Sequence, residues 1–106
     1  MRLTDVPILS TLRMIWSFRN RLTQGLAAGK APKRVPRDVA ERAVRKLFLL
    51  DTVTRLEDLR APLGNRLEAL GGGRRGQHSI RVNEQWRICF VWRDGDAYDV
   101  EFVDYH

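Results

Sequence analysis

Residues 86–104 constrain the fold of this 106-residue chain more than any other stretch. Trp86, Ile88, Phe90 and Trp92 alternate with Arg87, Cys89, Val91 and Arg93, the two-residue period of a strand with one heavily apolar face. Asp94-Gly95-Asp96 follows, and an Asp-Gly pair whose glycine can take positive φ signals a tight hairpin turn. Residues 97–104 then return as a second strand, with Tyr98, Val100 and Phe102 expected on one face. The tryptophan stripe is read as core rather than as a platform for stacked bases.

Two further strands are expected upstream, over 66–70 and 77–82, separated by the loop Gly71-Gly72-Gly73-Arg74-Arg75-Gly76. The amino-terminal half has a different period. Residues 20–28 read as a short helix with Leu22 and Leu26 one turn apart, and Gly29 stands where a left-handed cap is common. Pro36 is placed in the first turn of a longer helix over 36–53, with Asp38 and Glu41 near the positive end of its dipole. Val39, Ala43, Leu47 and Leu50 form its apolar stripe. Residues 56–60 add a turn, and Pro62 with Gly64 breaks the chain before the second half. Helices first and closely spaced strands after predict an α+β domain, two helices on one face of an antiparallel sheet. Residues 1–13 carry no periodicity and read as an extension, with Met14 a candidate for the true start, 15–18 opening a strand and 14–106 forming one domain.

The length allows a single hydrophobic core. No apolar run approaches the roughly 20 residues needed to cross a bilayer. Cys89 is the one cysteine, so no internal disulfide forms, and with only two histidines beside it no zinc cluster is expected, which fits the cytoplasm. Charge is more informative. Nineteen basic residues face 13 acidic ones, a net +6, and all the basic residues but Lys30, Lys33 and Lys46 are arginine. Arginine favours planar, bidentate contact with phosphate, so the bias points to nucleic acid. From Arg13 to Lys46 the local balance is +8, and from Arg74 to Arg93 it is +4. Beyond Arg93 it reverses to −5 through Asp94, Asp96, Asp99, Glu101 and Asp104, which makes the molecule dipolar.

The segment from Asn65 to the end closely resembles the HigB family of toxins from bacterial toxin-antitoxin pairs, within the wider RelE/ParE superfamily. The pieces that carry the likeness are GQHSIRVN, QWRICF, DGDAYDVE and the terminal VDYH, together with the helical PRDVAERAVRKL upstream. The resemblance implies a RelE-like fold, two helices against a curved antiparallel sheet. It implies ribosome-dependent cleavage of messenger RNA, with no cofactor and no metal. As partners it implies the ribosome, its messenger and a HigA-like antitoxin whose helix-turn-helix would link the toxin indirectly to operator DNA. No membrane partner is implied.

Cleaving RNA without a metal takes a base for the 2′-hydroxyl, an acid for the departing 5′-oxygen and cations for charge building on phosphate. His106 is the natural candidate for proton transfer, since an unperturbed imidazole changes charge near neutral pH, and the family's terminal active-site cluster falls on Asp104, Tyr105 and His106. In a regular strand 104 and 106 share a face while 105 points away, so the three converge only if the strand end twists. Glu68 stands where some family members carry histidine in a KLHPLKG-type run; here the run is RLEALGG, and Gly71 replaces the lysine. Glu68 is either a base or a partner of Arg66 or Arg74. His78 is read as a partly buried strand residue. Arg74 and Arg75 in the glycine-rich loop are candidate phosphate contacts. Arg81 and Arg87 could line one sheet face as another, unless Arg87 pairs with Glu101 or Asp99. The basic connector, Lys30, Lys33 and Arg34, completes the expected RNA-binding set. The rival readings are a ParE-like protein that binds gyrase and a degenerate toxin kept for antitoxin binding and operon autoregulation.

Overall fold

A computed structural model describes residues 15, 17–30 and 32–105. Two helices, α1 (Arg21–Ala27) and α2 (Arg37–Thr52), precede four strands, β1 (Glu68–Ala69), β2 (His78–Arg81), β3 (Trp86–Arg93) and β4 (Asp96–Asp104), in the expected α+β order. Short 3₁₀ turns over Leu56–Arg60, Leu63–Asn65 and Gly72–Arg74 fill the connections. The strands form one curved antiparallel sheet in the order β1-β2-β3-β4.

Both ends of α1 are fixed by local chemistry. The extended Asn20 accepts from the Thr23 N–H at 2.9 Å and from the Thr23 hydroxyl at 2.7 Å, the side-chain cap that a helix start needs. The same Thr23 hydroxyl accepts from the Phe102 N–H at 2.9 Å and so ties the cap to β4. At the other end Gly29 takes φ +89°, its N–H donates to the Leu26 carbonyl, and the Lys30 N–H donates to the Gly25 carbonyl. This is the paired closure that ends a helix in a left-handed glycine. Pro36 sits one residue earlier than expected: it caps α2 in extended conformation rather than occupying its first turn. The predicted stripe is buried in full, with Ala40 added. It packs with Leu26 against Ile80, Ile88, Phe90, Val100 and Phe102 on the helix-covered face of the sheet.

Asp94 (φ +53°) and Gly95 (φ +85°) turn β3 into β4, both central residues having the positive φ of a two-residue hairpin whose twist matches its strands. The pairing then slips. Val91 faces Tyr98 while Cys89 faces Glu101, and the extra residue Asp99 takes φ +51°. A bulge changes which side the following residues face. Tyr98 therefore lies on the face opposite Val100 and Phe102, which corrects the expectation that all three share one side. The predicted strand at 66–70 also shrinks to two residues, because Arg66 adopts a left-handed conformation (φ +44°) that closes the preceding 3₁₀ turn. Residues 15–18 form no strand of their own among the described residues. Ile15 and Phe18 instead make isolated parallel bridges to Ala97 and Val100. The proposed extension, residues 1–13, lies outside the described residues.

Candidate functional site

The sheet face turned away from the helices carries the charged side chains, and the strand register fixes which ones meet. Glu68, Ser79, Cys89 and Glu101 are successive cross-strand partners through all four strands. Arg81, Arg87 and Val103 form the adjacent row. Directly opposed residues share a face, so Arg81 and Arg87 lie side by side as expected. Arg87 is buried and held by three partners. Its Nε donates to Ser79 Oγ at 2.8 Å, its Nη2 donates to the Arg66 carbonyl at 2.8 Å, and Nη2 lies 3.5 Å from a Glu68 carboxylate oxygen. The carboxylate beside Arg87 is thus Glu68, rather than Glu101 or Asp99, and Glu68 pairs with neither Arg66 nor Arg74. The Arg87 guanidinium also lies 5.4 Å from the centre of the Tyr105 ring, within cation–π range.

Glu68, Arg87 and Tyr105 therefore converge at one end of this face. Asp104 does not join them there, because it is paired with Trp86, whose ring stacks on Phe102 at 4.5 Å on the core side. Gln85 fastens both Asp104 and Tyr105: its carbonyl accepts from the Tyr105 N–H at 2.6 Å, and its amide donates to the Asp104 carboxylate at 3.1 Å. His106 lies outside the described residues. Gln85 and Ser79 escape a reading of the sequence by charge and titration. Their signal was position, since both sit inside the quoted motifs QWRICF and GQHSIRVN.

The glycine-rich loop reaches the other end of the same face. Gly72 (φ +57°) and Gly76 (φ +92°) turn it tightly, and Arg74 donates to Gln77 at 3.0 Å and to Glu101 at 3.1 Å. Arg19 lies 3.9 Å from the same Glu101 oxygen. Arg75 is exposed, and its side chain has no described partner. Between the two arginine clusters the Cys89 thiol is pushed up by burial; Arg74 and Arg87 oppose that shift, and Glu101 adds to it. Arg81 also lines an open cleft with Arg42, Asn83, Glu84 and Gln85. Lys30, Lys33 and Arg34 are exposed in the α1–α2 connector, part of the helical layer, and no described contact joins them to the Arg87 face. His78 lies on the core side, half-buried and stacked on Phe90 at 6.2 Å, with Nδ1 buried and without a partner. Among the described residues no three metal-ligating side chains cluster. Chemically the face offers one held arginine beside a half-exposed carboxylate and an aromatic ring, flanked by further arginines. That arrangement suits a phosphodiester with an adjacent base.

Residues 14–106 match the family described as the RelE-like toxin of type II toxin-antitoxin system HigB. The chain is 38% identical over 94 residues to Toxin HigB-1 of Vibrio cholerae serotype O1, a match covering 88% of this chain and 98% of that protein. It is 34% identical over 93 residues to Endoribonuclease HigB of Proteus vulgaris, covering 88% of this chain and all of that one. An uncharacterized protein of Haemophilus influenzae is 28% identical over 78 residues.

Proposed function

Because the chain belongs to the HigB family of RelE-like toxins from type II toxin-antitoxin systems, we propose that it is an endoribonuclease that cuts messenger RNA on the translating ribosome and is neutralised by a HigA-like helix-turn-helix antitoxin. The observation that carries this reading is the convergence of Glu68, Tyr105 and a buried Arg87 on a face that also presents Arg74 and Arg81. Arg87, locked by three partners, supplies fixed positive charge to a phosphate that gains charge in the transition state, and a preorganised cation reorganises little when that charge develops. Tyr105 offers a ring for the neighbouring base. Glu68 and His106 are the groups able to move protons, from the 2′-hydroxyl and to the departing 5′-oxygen; Asp104, turned to the core side and held by Gln85, takes no part at this face. Arg74, Arg75 and Arg81 hold flanking phosphates, while Lys30, Lys33 and Arg34 make outer ribosome contacts.

The test is a reconstituted translation reaction in which the ends of the reporter messenger are mapped. The wild-type protein should cut inside the translated region and leave the same RNA intact without ribosomes. His106→Ala should cut about 10²-fold more slowly, the scale of losing a general acid or base, while still binding antitoxin. Cleavage by His106→Ala at the original rate would remove His106 from the chemistry. Absence of cleavage by the wild type would favour a gyrase-binding or degenerate toxin.

A further inference from the structure

Two arginines on the polar face are held in opposite ways. Arg87 uses Nε and Nη2 for its bonds, and its side chain is only 10% exposed. Arg74 uses Nη1 alone, donating from it to both Gln77 and Glu101, and its side chain is 31% exposed. Nε and Nη2 of Arg74 therefore carry no described bond. Together they form the fork that meets two phosphate oxygens at once. On Arg87 that edge is already spent.

We propose that Glu101 is a positioning residue for RNA: by holding Nη1 it fixes Arg74 with its two-donor edge available, which makes Arg74, ahead of Arg87, the phosphate clamp of this face. The proposal rests on the RNA-binding reading above. Arg74 needs such a hold because its loop neighbours Gly71, Gly72, Gly73 and Gly76 have no side chains to pack, and an untethered arginine would lose rotamer freedom on binding. A carboxylate beside a phosphate site would by itself repel the ligand. Here Arg19 lies 3.9 Å from the same carboxylate, so the Arg19–Glu101–Arg74 group keeps a net positive charge. Glu101 is itself largely shielded, its side chain 20% exposed, so the anchor is less screened than a surface ion pair.

The measurement is equilibrium binding of a 2′-O-methyl hexaribonucleotide to the full chain by fluorescence anisotropy across a salt series, well below the melting temperature. Glu101→Ala should weaken binding about tenfold, the scale of one charge-assisted hydrogen bond, and Arg74→Ala by at least as much. In the Arg74→Ala background, Glu101→Ala should cost nothing further. Glu101→Gln, which keeps an acceptor oxygen, should recover part of the loss. Arg74→Lys, which keeps the charge without the fork, should bind less tightly than wild type, and that comparison stands even if Glu101→Ala fails to fold. The proposal is overturned if Glu101→Ala binds as tightly as wild type, if its loss persists without Arg74, or if the wild type does not bind the probe at low salt. Cleavage is not read, so the expected pattern in a protein that cuts no messenger would sink the nuclease reading and leave the positioning role standing.

Discussion

Arg87 shows how one residue can serve fold and site together. It bonds to β2 through Ser79, to the chain before β1 through the Arg66 carbonyl, and to Glu68, so the contacts that fix its charge also hold the short edge strand. That it belongs to the polar face followed from simple alternation. That its carboxylate is Glu68 did not, because Glu101 is placed as plausibly by sequence and only the register of three strands decides between them. Its neighbour Cys89 gives a test at the same scale. Burial raises the thiol above its ordinary value, so the folded protein holds that proton more tightly than the unfolded chain does. The resulting stability is present below the unfolded pKa, about 8.5, and is lost as pH rises through the folded value. Lys46 behaves oppositely, lowered by burial and then by Arg42 and Arg45, but it is common to wild type and variant. The stability difference between wild type and Cys89→Ala should therefore be constant below the unfolded thiol value, about 8.5, and shrink as pH rises above it. Denaturant melts at each pH measure it, and parallel curves over that range would refute it.

At the scale of elements, what the sequence made legible was local. Gly29, the α2 stripe and Asp94-Gly95 each act within a turn or two, and the structure uses them as a stop, a buried face and a hairpin turn. What was illegible depends on contacts far along the chain. The bulge that turns Tyr98 away from Val100 is held by Ser17, whose hydroxyl accepts from the Asp99 N–H at 2.8 Å across more than eighty residues. Asn65 is a second example: it looks like an ordinary loop residue beside Pro62 and Gly64, yet it is fully buried. Its amide donates to the Leu59 and Ala61 carbonyls at 3.1 and 3.2 Å, and its oxygen accepts from Lys46 of α2. One side chain thus ties two 3₁₀ turns to the long helix. Asn65→Ala would leave two carbonyls and a partly buried ammonium without their partner, so it should cost about 2–3 kcal/mol. Chemical denaturation measures this, and a loss under about 0.5 kcal/mol would mean that water replaces the amide without penalty.

Across the whole molecule, the acidic carboxyl-terminal strand is threaded among basic neighbours rather than set apart from them. Glu101 lies between Arg74 and Arg19, and the Arg93 guanidinium lies 4.5 Å from the centre of the Tyr98 ring. The charge reversal seen along the sequence is thereby folded back against the positive part of the chain. The family match begins at residue 14, and the first described anchor is the Ile15 N–H, which donates to Asp51 at 3.0 Å. A chain begun at Met14 should keep that anchor. Its melting temperature should shift by less than about 4 °C, the change that ~1 kcal/mol produces in a domain near this size, and calorimetry that found a larger drop would show residues 1–13 to be part of the fold. Removing the next few residues would act on a different property, solubility. β4 ends the sheet, and its outward edge is occupied: the Val100 N–H donates to Ser17, its carbonyl accepts from Arg19, and the Asp99 and Phe102 amides are taken by Ser17 and Thr23. At the opposite border β1 is only two residues long, too short to template another strand. The separate bridges of Ile15 to Ala97 and of Phe18 to Val100 therefore cover the border at which this sheet would otherwise be open to a further strand.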